Sequence, residues 1–95
     1  MERLYHQLAA LAQRHGARRL VLFGSRARGD FHAQSDVDLA VYGMPEAERG
    51  AFWLEAEELP TLLKLDIVHI STDMAPAFLH NIEKDGVVLY AAKDQ

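Results

Sequence analysis

Residues 20–43 read "LVLFGSRARGDFHAQSDVDLAVYG". An apolar run halts at Gly24-Ser25, crosses a segment holding Arg26 and Arg28, and resumes as a second apolar run that opens with Asp36-Val37-Asp38. Both runs have the branched and aromatic composition of short strands. Side chains two apart in a strand share a face, so Asp36 and Asp38 project together with Ala40 and Tyr42. Val37, Leu39 and Val41 take the other face and anchor the strand in a core. Two carboxylates so close repel. Either one holds a proton, or a cation lies between them, or both stand in open solvent with one capping a turn.

Mg²⁺ suits the second case, because it takes carboxylate oxygens together with substrate phosphates. The turn before the pair supports it. A strand that ends in Gly-Ser before a helical turn offers backbone N–H groups and a hydroxyl to an anion. Gly24 permits close backbone approach, and Ser25 can donate to a phosphate oxygen or serve as a helix N-cap. "GSRARGDF" has the glycine spacing of a P-loop but continues with Asp30-Phe31 where that loop carries Lys and Ser or Thr. It has no dinucleotide-binding glycine pattern either. A third acid, Asp66, lies in "LKLDIVHI", where packing needs no charge. If its strand lies beside the first pair, three carboxylates meet next to a phosphate-binding turn, the layout of metal-assisted phosphoryl or nucleotidyl transfer. Otherwise Asp66 is a solvated acid at a strand mouth. Arg26 and Arg28 are read as exposed cations at this cleft, either steering an anionic substrate or merely solvated.

Outward from this segment, the periodicity predicts an α-β-β-α-β-α-β order. Leu4, Leu8 and Leu11 recur at helical spacing before a stop at Gly16. "PEAERGAFWLEAEEL" predicts a helix with a proline start and an acidic first turn. "KLDIVHIS" is a third strand. "DMAPAFLHNIEKDG" is a helix with Asp73 as cap, Ala75, Phe78, Leu79 and Ile82 on one face, and Gly86 as its end. "VVLYA" is the last strand, and "SRARG" is short enough to be a single helical turn. His69 falls out of phase with Asp66 and so faces the helices. His6, His15, His32 and His80 show no paired ligand spacing. Phe52 and Trp53 read as core or partner contacts. The expected fold is one α/β (α+β) domain over residues 1–95, a mixed sheet of about four strands with helices mainly on one face.

Bulk properties narrow the function. The 95 residues carry a formal charge of −4, with 10 basic and 14 acidic side chains, which disfavours nonspecific nucleic-acid binding. There is no cysteine, so thiolate nucleophiles, disulfides and zinc–thiolate sites are excluded, as fits a reducing cytoplasm. No apolar run approaches a membrane span, and the first residues lack a secretory h-region.

Gly24-Ser25, ten intervening residues and Asp36-x-Asp38 resemble the signature of the polymerase β-like nucleotidyltransferases. "LFGSRARG", "SDVDLAV" and the later "LDIV" together look like the minimal nucleotidyltransferases, over nearly the whole chain. That resemblance implies that Gly24 and Ser25, with Arg26 and Ser35 beside them, bind the nucleotide, and that Asp36 and Asp38 bind Mg²⁺. It implies that Asp66 is the third acid, which helps activate the attacking hydroxyl. It also implies ATP as substrate and an all-helical HEPN toxin as partner, neutralised when AMP is transferred to one of its tyrosines. So small a catalytic unit has little room for an acceptor-binding domain, so the acceptor surface is expected from another chain or from a second copy of this one. A small-molecule nucleotidyltransferase and a non-catalytic antitoxin acting by occlusion are the alternatives.

Overall fold

The computed structural model describes residues 1–93; the last two of the expected 1–95 domain lie outside the described residues. The elements are α1 (Glu2–Arg14), β1 (Arg19–Phe23), α2 (Ser25–Arg28), β2 (Val37–Tyr42), α3 (Glu46–Glu57), β3 (Leu65–His69), α4 (Pro76–Asp85) and β4 (Val87–Ala91). This is the order expected from periodicity, with "SRARG" indeed forming a helical turn. The four strands make one mixed sheet ordered β3-β2-β1-β4. β2 runs antiparallel to β1 and parallel to β3, and β4 closes the other edge antiparallel to β1.

Strand alternation sorts the two faces. Leu20 and Leu22 of β1 and Val37, Leu39 and Val41 of β2 face one side, where Leu4, Leu8 and Leu11 of α1 and Phe52 and Ala56 of α3 cover them. All of these are buried, and Phe52 is fully so. The seam between the two helices is polar: His15 meets Glu48 through Nδ1 at 2.8 Å and Glu55 through Nε2 at 3.1 Å. On the other face, Val21 and Ala40 are buried under Ile82 of α4. Ala40, expected to share the acid face, does so, but beneath a helix. The open part of that face is the end where Asp38 lies.

α4 departs from expectation at its start and ends at Gly86 as expected. Its N-cap is Ala75 and not Asp73, whose carboxylate instead accepts from the Ser71 hydroxyl. Pro76 occupies the first turn, where a missing N–H costs nothing. Gly86 ends the helix in an extended conformation, φ −69° and ψ 149°. Its lack of a side chain serves packing: a Cβ there would lie 2.3 Å from the Ile82 carbonyl oxygen and 2.5 Å from Val21 Cγ1. The turn from α4 into β4 is thus pressed directly onto the sheet.

Candidate active site

β1 delivers the chain to Gly24, whose φ of 75° and ψ of −157° are open essentially to glycine alone. The reason is next door. Phe23 pairs with Asp38 across the β1–β2 ladder, so the turn leaves the sheet directly over that aspartate. A Cβ on Gly24 would sit 2.1 Å from Asp38 Oδ2. Gly24, not Ser25, is the N-cap of α2, and its carbonyl accepts from the N–H groups of Ala27 and Arg28, each at 3.1 Å. Ser25 is therefore the first helical residue, and its hydroxyl makes no hydrogen bond among the described residues. Its own N–H lies in the turn where helix amides lack intrahelical partners.

The loop that carries the chain to β2 is held by Arg26. Expected to be exposed, Arg26 is buried, with 8% of its surface accessible. Its Nε donates to the Ser35 carbonyl at 3.1 Å and its Nη2 to the carbonyls of Ala33 at 3.2 Å and His32 at 3.5 Å. Phe31 lies against the guanidinium, 4.8 Å from ring centroid to Cζ. Ser35 completes the closure: its hydroxyl oxygen accepts from the His32 N–H at 3.0 Å. A guanidinium has several donors in a fixed fork, and here it pairs the carbonyls of Ser35 and Ala33 and shares that of His32 with the Ser35 N–H, 3.0 Å away. The sequence could not show this, because the partners are backbone oxygens exposed by loop shape. Arg28, by contrast, is exposed as expected and donates to Asp30 at 3.3 Å.

β2 presents Asp38 on the open end of the sheet, half-buried, while Asp36 lies just before the strand and is exposed. β3 lies beside β2 in parallel, and its register sets Asp66 directly opposite Asp38. Burial raises the Asp38 pKa above its usual 3.8, and the charges of Asp66 and then Asp36 raise it further; Arg28 and Lys64 pull it down. All three acids thus act on one point. Among the described residues no three acid or imidazole side chains come together closely enough to hold a metal ion by themselves. That fits an ion held by one or two carboxylates and completed by substrate phosphates, which is how Mg²⁺ is usually bound. His69 faces away from the acids as expected. Its ring meets Phe52 of α3 at 6.5 Å, its Nδ1 is buried with no hydrogen-bond partner among the described residues, and burial lowers its pKa. A separate cleft of about 720 Å³, lined by Arg18, Arg19, Tyr42 and Lys93, opens at the opposite end of the sheet, away from the carboxylates.

A strand–Gly–Ser–helical turn facing paired aspartates and a third acid on the neighbouring strand is the layout of a nucleotidyl-transfer site. Residues 6–95 match the family model described as "Polymerase beta, Nucleotidyltransferase", and the chain belongs to that family, with the fold of its minimal members. Among solved structures, one described as a minimal nucleotidyltransferase superposes with a TM-score of 0.66 at 28% identity, over 90% of this chain and 89% of that one. A toxin–antitoxin complex with AMP-PNP gives 0.70 at 20% identity, over 94% of this chain and 74% of that one. The toxin–antitoxin MntA–HpeT, carrying two aspartate-to-glutamate replacements two residues apart, gives 0.69 at 18% with the same coverage, 94% and 74%. No curated protein matches the sequence. No helix among the described residues is long and apolar enough to cross a membrane.

Proposed function

We propose that this chain transfers AMP from ATP to a tyrosine hydroxyl of a HEPN-type toxin and so acts as its antitoxin. The observation that carries the chemistry is the pairing of Asp38 with Asp66 across β2 and β3, with Gly24 pressed against the same carboxylate. Gly24 and Ser25 take the nucleotide phosphates, through the close backbone and the free hydroxyl. Arg26 and Ser35 stand behind the nucleotide and hold the loop that sets Asp36. Asp36 and Asp38 would hold Mg²⁺ together with the substrate phosphates, with Asp66 beside them, and the ion would supply charge stabilisation to the attacking and leaving oxygens.

Asp66, exposed at the edge strand, can reach an acceptor from outside and take the proton of its hydroxyl. The phenolic oxygen forms a bond to the α-phosphorus, and the bond from that phosphorus to the bridging oxygen breaks in line, releasing diphosphate. The partner reading is supported by the exposure of Asp36 and Asp66 at this end of the sheet. Fold neighbours that are toxin–antitoxin assemblies, one holding AMP-PNP, support it as well.

The test is incubation with α-labelled ATP, Mg²⁺ and a HEPN-type toxin protein. Label should appear on a partner tyrosine and vanish with Asp36→Asn or Asp38→Asn. Neutralisation by wild type with no label under any divalent metal would establish occlusion instead.

A further inference from the structure

α3 is apolar on two sides. Phe52 and Ala56 face the core, yet Trp53 and Leu54 on the outer side are 50% and 59% exposed. A surface helix normally carries one apolar stripe and a polar outer face. Here the outer stripe runs Glu46, Gly50, Trp53, Leu54, Glu57 at intervals of three and four residues. Gly50 stands out within it. A mid-helix glycine weakens the helix relative to alanine, and a Cβ at Gly50 would have nothing within 4 Å. None of the described residues asks for glycine there. A bare backbone patch one turn from an exposed tryptophan suits close approach by an outside helix. Leu62, in the loop leaving α3, is fully exposed as well.

The charge at this surface selects its occupant. Glu46, Glu57 and Glu58 are all exposed around the apolar residues. Arg49, the cation of this helix, turns back toward the Met44 carbonyl. A second copy of this chain would bring like charges together across a two-fold interface. A basic partner would meet them favourably.

We infer that the outer face of α3, centred on Gly50, Trp53 and Leu54, is the docking surface for a basic, helical protein. This rests on the antitoxin reading above and deepens it. α3 packs on the sheet face opposite the carboxylates. Holding the partner and modifying it are therefore separate tasks of the two faces, and variants can divide them.

The experiment measures binding of a HEPN-type toxin protein, the partner proposed above, to wild type, Gly50→Leu and Trp53→Ala, with ATP binding and melting temperature read on each free chain. Gly50→Leu removes a helix-weakening residue without a clash, so its melting temperature should rise by about 3–8 °C. Its affinity for the partner should nevertheless fall at least tenfold, as should that of Trp53→Ala, with ATP binding unchanged. Glu57→Lys should slow association and weaken its salt dependence. Partner affinity within twofold of wild type for both Gly50→Leu and Trp53→Ala overturns the assignment while leaving the antitoxin reading intact. Loss of self-association in place of partner binding also overturns it, in favour of a second copy. Failure of wild type itself to bind refutes the antitoxin reading, and the docking surface with it.

Discussion

Replacing Gly24 by alanine tests the centre of the site. The backbone at φ 75° and ψ −157° lies where a Cβ is strained by about 1–3 kcal/mol. The new methyl would also fall 2.1 Å from Asp38 Oδ2 and 3.0 Å from Cγ. Asp38 can yield only by leaving its rotamer, at roughly 0.5–1.5 kcal/mol. The total is about 1.5–4.5 kcal/mol, which for a domain of this size lowers the melting temperature by roughly 6–36 °C. Denaturant unfolding of Gly24→Ala, Asp38→Ala and the double variant separates the two parts. With Asp38 truncated, the nearest remaining contact is its Cβ, at an ordinary-to-tight 3.3 Å. Gly24→Ala should then cost about 0.5–1.5 kcal/mol less than it does in wild type. A cost equal in both backgrounds would show that the turn is not pressed on this carboxylate. A cost under about 0.5 kcal/mol would remove the backbone argument too.

Three further outcomes follow from the same geometry. Arg26→Lys should destabilise the chain by about 1–3 kcal/mol and lower transfer activity, since an ammonium cannot satisfy carbonyls of Ser35, Ala33 and His32 together; urea titration measures it. Asp38 has a folded pKa above 3.8, so the stability it contributes is full below that pH and is lost as pH rises through the folded value. Asp38→Asn should therefore melt higher than wild type at neutral pH without metal, lower activity sharply, and flatten that part of the melting-temperature profile. His69 is shifted the other way: its contribution is present above pH 6.5 and lost as pH falls through its depressed folded value. His69→Leu should flatten the acid limb of the same profile, and an unchanged limb would mean that the ring is not buried against Phe52.

Much of the fold was legible because it is local. Period-two alternation in "VDLAVY" separates a core face from an acid face whatever the strand's neighbours are. Phe52 and Trp53 were legible only as a pair, core or partner. Which was which depended on how α3 rolls against β3 and α1: Phe52 is buried in the core and Trp53 stands exposed. Arg26 misled for a related reason. A charged residue in a loop is exposed unless the loop closes on it, and closure here rests on three carbonyls that carry no side-chain signal.

Read by itself, the sequence determined that a Gly-Ser turn and an Asp-x-Asp strand stand at a set distance along the chain, and that their apolar neighbours hold both strands in place. It left open whether Asp66 reaches them. Strand order is non-local, and the pairing of β3 beside β2 in parallel depends on how α3 crosses between them. The same tertiary step buries Ala40 beneath α4, leaves Asp38 at the uncovered end, and presses Gly24 against it. Spacing along the chain supplies the groups; only the register of β2 against β1 and β3 brings their charges onto one carboxylate.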